Sequence, residues 1–520
     1  MSAIKNIIDR DFTEEKYRRR DIRKIRTLFD LSSKDKYTID DSTWDDLMMD
    51  DVFKKIDRTY TSQGEASLYT MLRNPILDKK KLNRRHAIIN HFKENKDLSV
   101  KLRYIFFNMG GDPDNKLIDM LEGKLLTSKI KPILYTFTGI LCPIPLILLA
   151  IILQFPQFLL AASFFLYLNI GIYQTEAKNI KAKGISKLTN MFTASHKILK
   201  LNSPVLDSYN IEIENCLEKL KIIDKSTKIL RFTSAFNGLI ESITVPFLIE
   251  VIAYYRIAPY LAEKENEILK LYYIIGEIDA LVSMASFEMS YEDKISIPNF
   301  IDDVKISIEE GIHPLIENPV SNSITIDNKG IILTGTNMSG KSTFLRMIST
   351  NILFAQTFNI VFAKNYTACF FNLVTSISPK DDINSGKSYY MAEAESLLRI
   401  INALDDDVPV FTTIDEIFRG TNPIERISSS AEILRYINER KGICIAATHD
   451  QEISDILKDS YDFYYFSESV SNEHGLNFDY KLKKGVTNTR NAIKLLEFLG
   501  YPNDIIQKSY ERCKTLTNYF

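Results

Sequence analysis

Cysteine is scarce and scattered in this chain, standing at 142, 216, 369, 444 and 513, an odd number without a CxxC pair. That pattern excludes a disulfide framework and a zinc ligand set, and it suits a reducing interior. Glycine and proline are sparse as well, 19 and 16 residues in 520, which rules out a collagen-like or low-complexity polymer. An excess of one charge is also missing. The 65 Lys and Arg against 67 Asp and Glu leave a formal net charge of -2, so no whole-chain cationic field advertises a nucleic-acid binder and any polyanion site must be local. The N-terminal region lacks the apolar stretch of a secretory signal and carries KYRRRDIRKIR instead, so the N-terminus is expected to stay in the cytosol.

What the chain does have is apolar mass, 45% of its residues. At ~100 to 200 residues per domain, 520 residues imply two to four domains. The 22 residues from Pro132 to Leu153 carry no charge; after the break QFPQ, 16 more follow from Phe158 to Tyr173. At ~1.5 Å per residue each run is about long enough to cross a bilayer core, so a two-helix transmembrane hairpin is expected over 132–173. Lys124, Lys129 and Lys131 precede it and Lys178, Lys181 and Lys183 follow it. This places both flanks, and the domains attached to them, on the cytoplasmic side of a cell membrane as a multi-pass protein. The competing reading is a pair of helices buried in a soluble core.

A third apolar stretch, FTSAFNGLIESITVPFLIEVIAYYRIAPYLAEK, contains Glu241, Glu250 and Arg256 and reads as soluble helical core. Nearby, Ile213, Leu217, Leu220 and Ile223 repeat with helical spacing. Beyond about Ile301 the pattern changes to short apolar strands alternating with helices, as in an α/β domain. Three strands are expected to end at Gly335, Asp415 and His449 and to deliver polar residues there, where open parallel sheets build their sites. The expected division is a basic segment 1–36, a helical core 37–131, the hairpin 132–173, a second helical core and lever part 174–300, and an α/β domain 301–520.

The sharpest motif is GTNMSGKST, Gly335 to Thr343, which fits GxxxxGK[ST] between a strand and a helix. Gly335, Thr336, Asn337, Met338, Ser339 and Gly340 form a loop whose amides cradle phosphates. Lys341 reaches the outer phosphates, and Ser342 offers a hydroxyl to magnesium; Thr343 closes the motif. ATP with Mg2+ is the expected cofactor pair. In FTTIDEIF, Asp415 is placed to hold the metal and Glu416 to orient or deprotonate a water, which argues for hydrolysis. His449 in AATHD could sense the terminal phosphate.

These motifs resemble those of the MutS mismatch-repair ATPases. TGTNMSGKST is joined in order by GIHPLIE before it and by DDINSGKSYYMAEAESLLRI, IDEIFRGTNPIER and AATHDQEIS after it; TSQGEASLYTMLRNPILDKKKLNRRHAII and GEIDALVSMASF are similar to the ends of the family's core domain. The resemblance implies an ABC-class P-loop ATPase domain following a helical core and lever domain, working as a homodimer with composite sites. Carried over by position, Glu416 activates water and His449 is the switch histidine. Ser385 and Ser388 reach the partner's nucleotide, and His313 lies near its base, although Ile312 stands where many relatives have Arg. DNA as a partner is implied by the resemblance alone. The family's mismatch reader inserts a Phe-x-Glu tripeptide into DNA. Phe92-Lys93-Glu94 fits that pattern only by chance inside a helical segment, so the reader looks absent. With a hairpin foreign to repair enzymes, the chain is similar to short membrane-bound MutS-related proteins. Two functions follow: a membrane-anchored MutS-like ATPase related to DNA mismatch repair, or a membrane-associated mechanochemical or scaffold ATPase acting on protein or lipid. An exporter's nucleotide domain is weaker, because no LSGGQ-like segment occurs. The run Lys16 to Arg26, seven cations and one Asp, could be a solvated helix face, a lipid-head contact or a nucleic-acid contact.

Overall fold

The computed structural model describes all residues except 1, 17–19, 33, 123–126, 180–181, 235–243, 337–338, 379–388, 419–421, 441, 451, 472–474, 487–491 and 517–520. The chain divides into two compact units. The first comprises 1–32, 56–70 and 88–290; the second comprises 33–55, 71–87 and 291–520. Segment 33–55, expected partly in the basic segment and mostly in the helical core, and segment 71–87, expected in the helical core, thus group with the α/β part.

The first unit is helical. Its axis is the helix Glu265–Ser290, buried along most of its length from Ile268 onward. The two segments that resemble the ends of the core domain meet on it. Gly276 lets the backbone of Gln63 approach so closely that a Cβ would lie 2.4 Å from its carbonyl oxygen. Asp279, fully buried, accepts from the Tyr60 amide at 3.0 Å and from the Thr61 amide and hydroxyl at 2.9 and 2.7 Å. Burial raises the Asp279 pKa, and these donors oppose the rise. Phe92 is buried, and Lys93 pairs with Glu288 at 3.1 Å, so the Phe-x-Glu match is core packing. The repeat Ile213 to Ile223 spans two helices, Asp207–Lys219 and Lys221–Ser234, because the first ends at Leu220.

Helices Lys131–Leu153 and Gln157–Glu176 are long and apolar enough to cross a membrane, and little of either is buried. The first contains a π-helical turn at Phe137–Leu141 just before Pro143 and Pro145. Neither proline has an N–H to give, so the ladder shifts there, with the Cys142 amide bonding Phe137 at 2.9 Å. Gln154, in the left-handed region at φ 58, turns the chain into the second helix. The third apolar stretch forms helical core from Ile249 onward, as expected, with Val251, Tyr255 and Leu261 buried. Its helix Ile249–Glu263 packs along the hairpin, where Tyr173 donates to Glu250 at 2.9 Å and Arg256 to Thr136 at 3.1 Å.

The second unit is α/β, and its described strands form three sheets, one of them the two-stranded hairpin Glu468–Ser471 and Gly475–Phe478. The largest has six strands in the order Lys483–Lys484, Tyr461–Tyr465, Gly330–Thr334, Ile443–Ala447, Val410–Asp415 and Asn372–Ser376, parallel except for the first. Four of these strands are buried on both faces or nearly so, which explains their uninterrupted apolar runs. A smaller sheet orders Asn299–Phe300, Asn365–Ala368, Ile306–Gly311 and Asn322–Ile326.

Candidate functional site

The strand Gly330–Thr334 and the strand Val410–Asp415 are not neighbours, because Ile443–Ala447 runs between them. The phosphate-loop motif, the acidic pair and His449 therefore leave the same edge of one parallel sheet on three adjacent strands. That edge is where such sheets bind ligands.

Gly335 and Gly340 take φ values of 138 and 107, which a side-chain-bearing residue rarely adopts. Gly340 caps the helix Lys341–Phe358, so the helix's free amides and positive dipole end face the loop. The Lys341 ammonium folds back onto the carbonyls of Gly335 and Thr336 at 2.7 and 3.1 Å. Ser342 donates to Asp415 in a very short contact. Asp415 ends its strand, and Glu416 follows in the left-handed region at φ 63, its amide bonded to Ala447 at 2.9 Å. A non-glycine residue held there is strained by about 1 kcal/mol or more. The turn aims Glu416 at His449, whose Nε2 lies 3.0 Å from Oε1. His449 sits two residues past its strand, which ends at Ala447. Asn337, Met338, Ser385 and Ser388 lie outside the described residues.

A cavity of about 360 Å³ opens beside the loop, lined among others by His313, Asn322, Gly340, Thr343, Phe344 and Tyr480. His313 is buried there. Its Nδ1 accepts from the Leu315 amide at 3.3 Å, which leaves the proton on Nε2, and Nε2 has no hydrogen-bond partner. Burial, and secondarily the charge of Arg346, push its pKa down to about 4, so the ring is neutral at physiological pH. The Ser339 hydroxyl is likewise buried without a partner. Two orphaned polar groups, two glycines in left-handed geometry and a helix N-terminus fit a phosphate-bearing ligand with a polar base. Among the described residues no three His, Cys, Asp or Glu cluster. A divalent cation would therefore rest on Ser342, Asp415 and the ligand's own phosphates, as magnesium commonly does.

Four supporting sets of contacts escaped the sequence reading. Arg426 grips Asp450 with two bonds, 2.9 and 2.5 Å, tying the turn that carries His449 to the helix Pro423–Glu439. Both residues lie within the conspicuous segments TNPIER and AATHD, which was the available signal. Asp46 accepts from the Thr375 hydroxyl and from the amides of Ile377 and Ser378 at 2.8, 2.9 and 2.7 Å. Arg346, on the helix that follows the phosphate loop, donates to the Asp46 carbonyl at 2.7 Å and to Ser378 at 3.1 Å. Arg399 also bonds Asp40 and Thr43 from the same side. No local spacing could have revealed a partner more than three hundred residues away.

The family model for MutS domain V matches residues 331–517. A DNA mismatch repair protein MutS of Clostridium kluyveri is 24% identical over 544 aligned residues, covering 94% of this chain and 62% of that protein. One from Clostridium botulinum strain Hall is 30% identical over 279 residues, 51% of this chain and 29% of its own. The chain thus spans less than two thirds of the length of these relatives. Residues 331–517 thus carry a MutS domain V, and the chain is similar to MutS proteins along nearly its whole length.

Proposed function

We propose that this chain binds and hydrolyses ATP with Mg2+ as a homodimer, held on a membrane by the hairpin 131–176. One observation carries the catalytic part: Lys341, the Ser342–Asp415 contact and the Glu416–His449 pair converge at one sheet edge beside the cavity that holds His313. ATP supplies the phosphoanhydride to be cleaved, and Mg2+ offsets its charge. The loop amides and Lys341 hold the phosphates, and Ser342 with Asp415 orients the cation. Glu416 takes the proton of the attacking water while His449 fixes the carboxylate and senses the outer phosphate. Nε2–H of His313 offers a donor to the base. Ser385 and Ser388 would complete the partner's site.

The exposed apolar surface of the hairpin supports the membrane part: Ile133, Ile152, Leu160 and Tyr167 stand open along helices long enough to span. Its basic flanks favour the cytoplasmic side for the ATPase domain. DNA enters through the relatives, which are DNA mismatch repair proteins. The buried Phe92 offers no wedge for reading a mismatch. A mechanochemical or scaffold ATPase on protein or lipid is the second reading, favoured by the hairpin.

The test is a pair of variants of the full chain. Lys341→Ala is expected to abolish ATP binding, whereas Glu416→Gln keeps binding and stops turnover. Hydrolysis by Glu416→Gln at the parental rate would overturn the assignment.

A further inference from the structure

The polar residues of the hairpin are not scattered. Asn169, Tyr173 and Glu176 recur along the second helix, and each bonds the segment that begins at Thr244. Tyr255 donates to Glu176 at 2.6 Å, and Lys131 donates to the Tyr255 hydroxyl at 3.0 Å, so this rung lies at the open end of the hairpin. One turn further in, Tyr173 meets Glu250. Two turns in, the fully buried Asn169 amide donates to the carbonyls of Thr138 at 3.0 Å and Pro246 at 2.8 Å. At the same level Gly139 lies directly on the backbone of Phe247, where a Cβ would come within 2.5 Å of its carbonyl oxygen. Leu248, in the left-handed region at φ 54, then turns the chain into the helix Ile249–Glu263, which runs back toward the open end.

Depth follows from the helix rise. Thr138 and Asn169 each stand seven residues inside the ends Lys131 and Glu176, which is roughly 10 Å at 1.5 Å per residue. The turn Pro246–Leu248 therefore lies about as deep. Thr244 to Ile249 carry no charge, and Val245, Pro246, Phe247 and Ile249 are only half-buried against the protein, so an apolar surface remains beside the hairpin. A non-helical carbonyl is affordable in hydrocarbon only if protein bonds it, and Asn169 does this for Pro246.

We propose that Thr244–Tyr255 is a third membrane-embedded element, a re-entrant segment that dips into the acyl region of the bilayer alongside the hairpin and returns. The proposal rests on the hairpin being a membrane anchor. Glu250 and Arg256 remain near the interface, where Tyr173 and Thr136 bond them.

The full chain is reconstituted in vesicles of phosphatidylcholine and phosphatidylglycerol, part of the phosphatidylcholine being brominated on its acyl chains. Phe247→Trp and, independently, Ile249→Trp report on the segment, and Leu141→Trp reports on the exposed middle of the first hairpin helix. The emission of Trp44, the chain's one tryptophan, is subtracted using the parent protein. Emission from either segment variant is expected to shift to the blue, to lose most of its intensity to the brominated lipid and to resist aqueous iodide. If Leu141→Trp is quenched by the lipid while both segment variants are quenched by iodide, the anchor stands and the re-entrant segment is refuted. Segment variants shielded from both quenchers would refute it too, because protein and not lipid would then cover the seam. If Leu141→Trp itself escapes the lipid, the anchor reading fails, and the proposal falls with it.

Discussion

Protonating His313 should destabilise the α/β unit. Its ring is buried 5% exposed beside Arg346, and its pKa falls from 6.5 to about 4. Between those values the unfolded chain binds a proton that the folded chain refuses, so stability rises with pH across this window and is lost as pH falls from about 6.5 to 4. At ~1.4 kcal/mol per pH unit, the drop is worth about 3 kcal/mol, of which most is spent by pH 4.5. His313→Gln keeps a side chain of similar reach that can still accept from the Leu315 amide but takes up no proton. Denaturant or thermal unfolding of both proteins at matched pH from 7.5 to 4.5 isolates the one group, since all other titrations are shared. The variant is expected to lose less stability on acidification, with the difference opening below about pH 6.5. Parallel curves throughout would refute the burial argument. In the same frame, ATP affinity should stay flat from pH 6 to 8, and His313→Ala should weaken it roughly two- to tenfold, the worth of one neutral hydrogen bond.

Asp46→Ala would strand the three donors it satisfies, two of them backbone amides, and is expected to cost the second unit about 3 to 5 kcal/mol in unfolding experiments. A fragment beginning at Asp302 lacks Asp46 altogether and should melt well below the full chain, whereas equal melting would show the clasp to be idle. Gly276→Ala drives a methyl group into Ser67 and Gln63 and should destabilise the helical unit by about 1 to 3 kcal/mol, read as a lowered melting temperature. Deletion of 132–173 should release the protein from membranes, while the parent chain resists high-salt extraction; salt release of the parent would remove the anchor.

Much of the candidate site was legible because a phosphate loop imposes local spacing. Gly335, Gly340, Lys341 and Ser342 are close in sequence and stand together between a strand end and a helix start. Asp415 and Glu416 needed only a strand end. His449 was foreseen on a strand and lies in the turn beyond it, since the polar residues Thr448 and His449 continue a pattern that the ladder does not. The Asp46 clasp was illegible, because a buried carboxylate that serves amides across the chain leaves no periodicity. In the third apolar stretch the helical core was legible but the partners of its charges were not. Glu250 and Arg256 each bond the hairpin, and pairing across some eighty to one hundred and twenty residues is invisible to a window. Unit boundaries shifted for the same cause, since 33–55 and 71–87 read mostly as helical core but group with the sheet unit.

The basic run Lys16 to Arg26 shows why charge counted along a sequence overstates a polyanion site. Each cation that meets a DNA phosphate contributes about 0.9 to the salt slope of binding, so seven free cations would contribute about 6. Lys16, however, donates to the carbonyls of Arg58 and Thr59 at 3.0 and 3.3 Å and lies over the Tyr60 ring. The Arg20 side chain, 3% exposed, is spent on Asp57 at 2.7 Å. Lys24 and Arg26 pair with Asp114 and Asp30. Withdrawing Lys16 and Arg20 alone removes roughly 2 from that slope, and the paired residues must break contacts before they contribute. Lys16, Arg20 and Lys24 therefore hold the N-terminal segment onto the helical unit first and meet an anion second. DNA titrated at several salt concentrations should show little change in slope between the parent and Arg23→Ala plus Lys24→Ala. A fall of about 2 would mean that this face is a nucleic-acid surface after all.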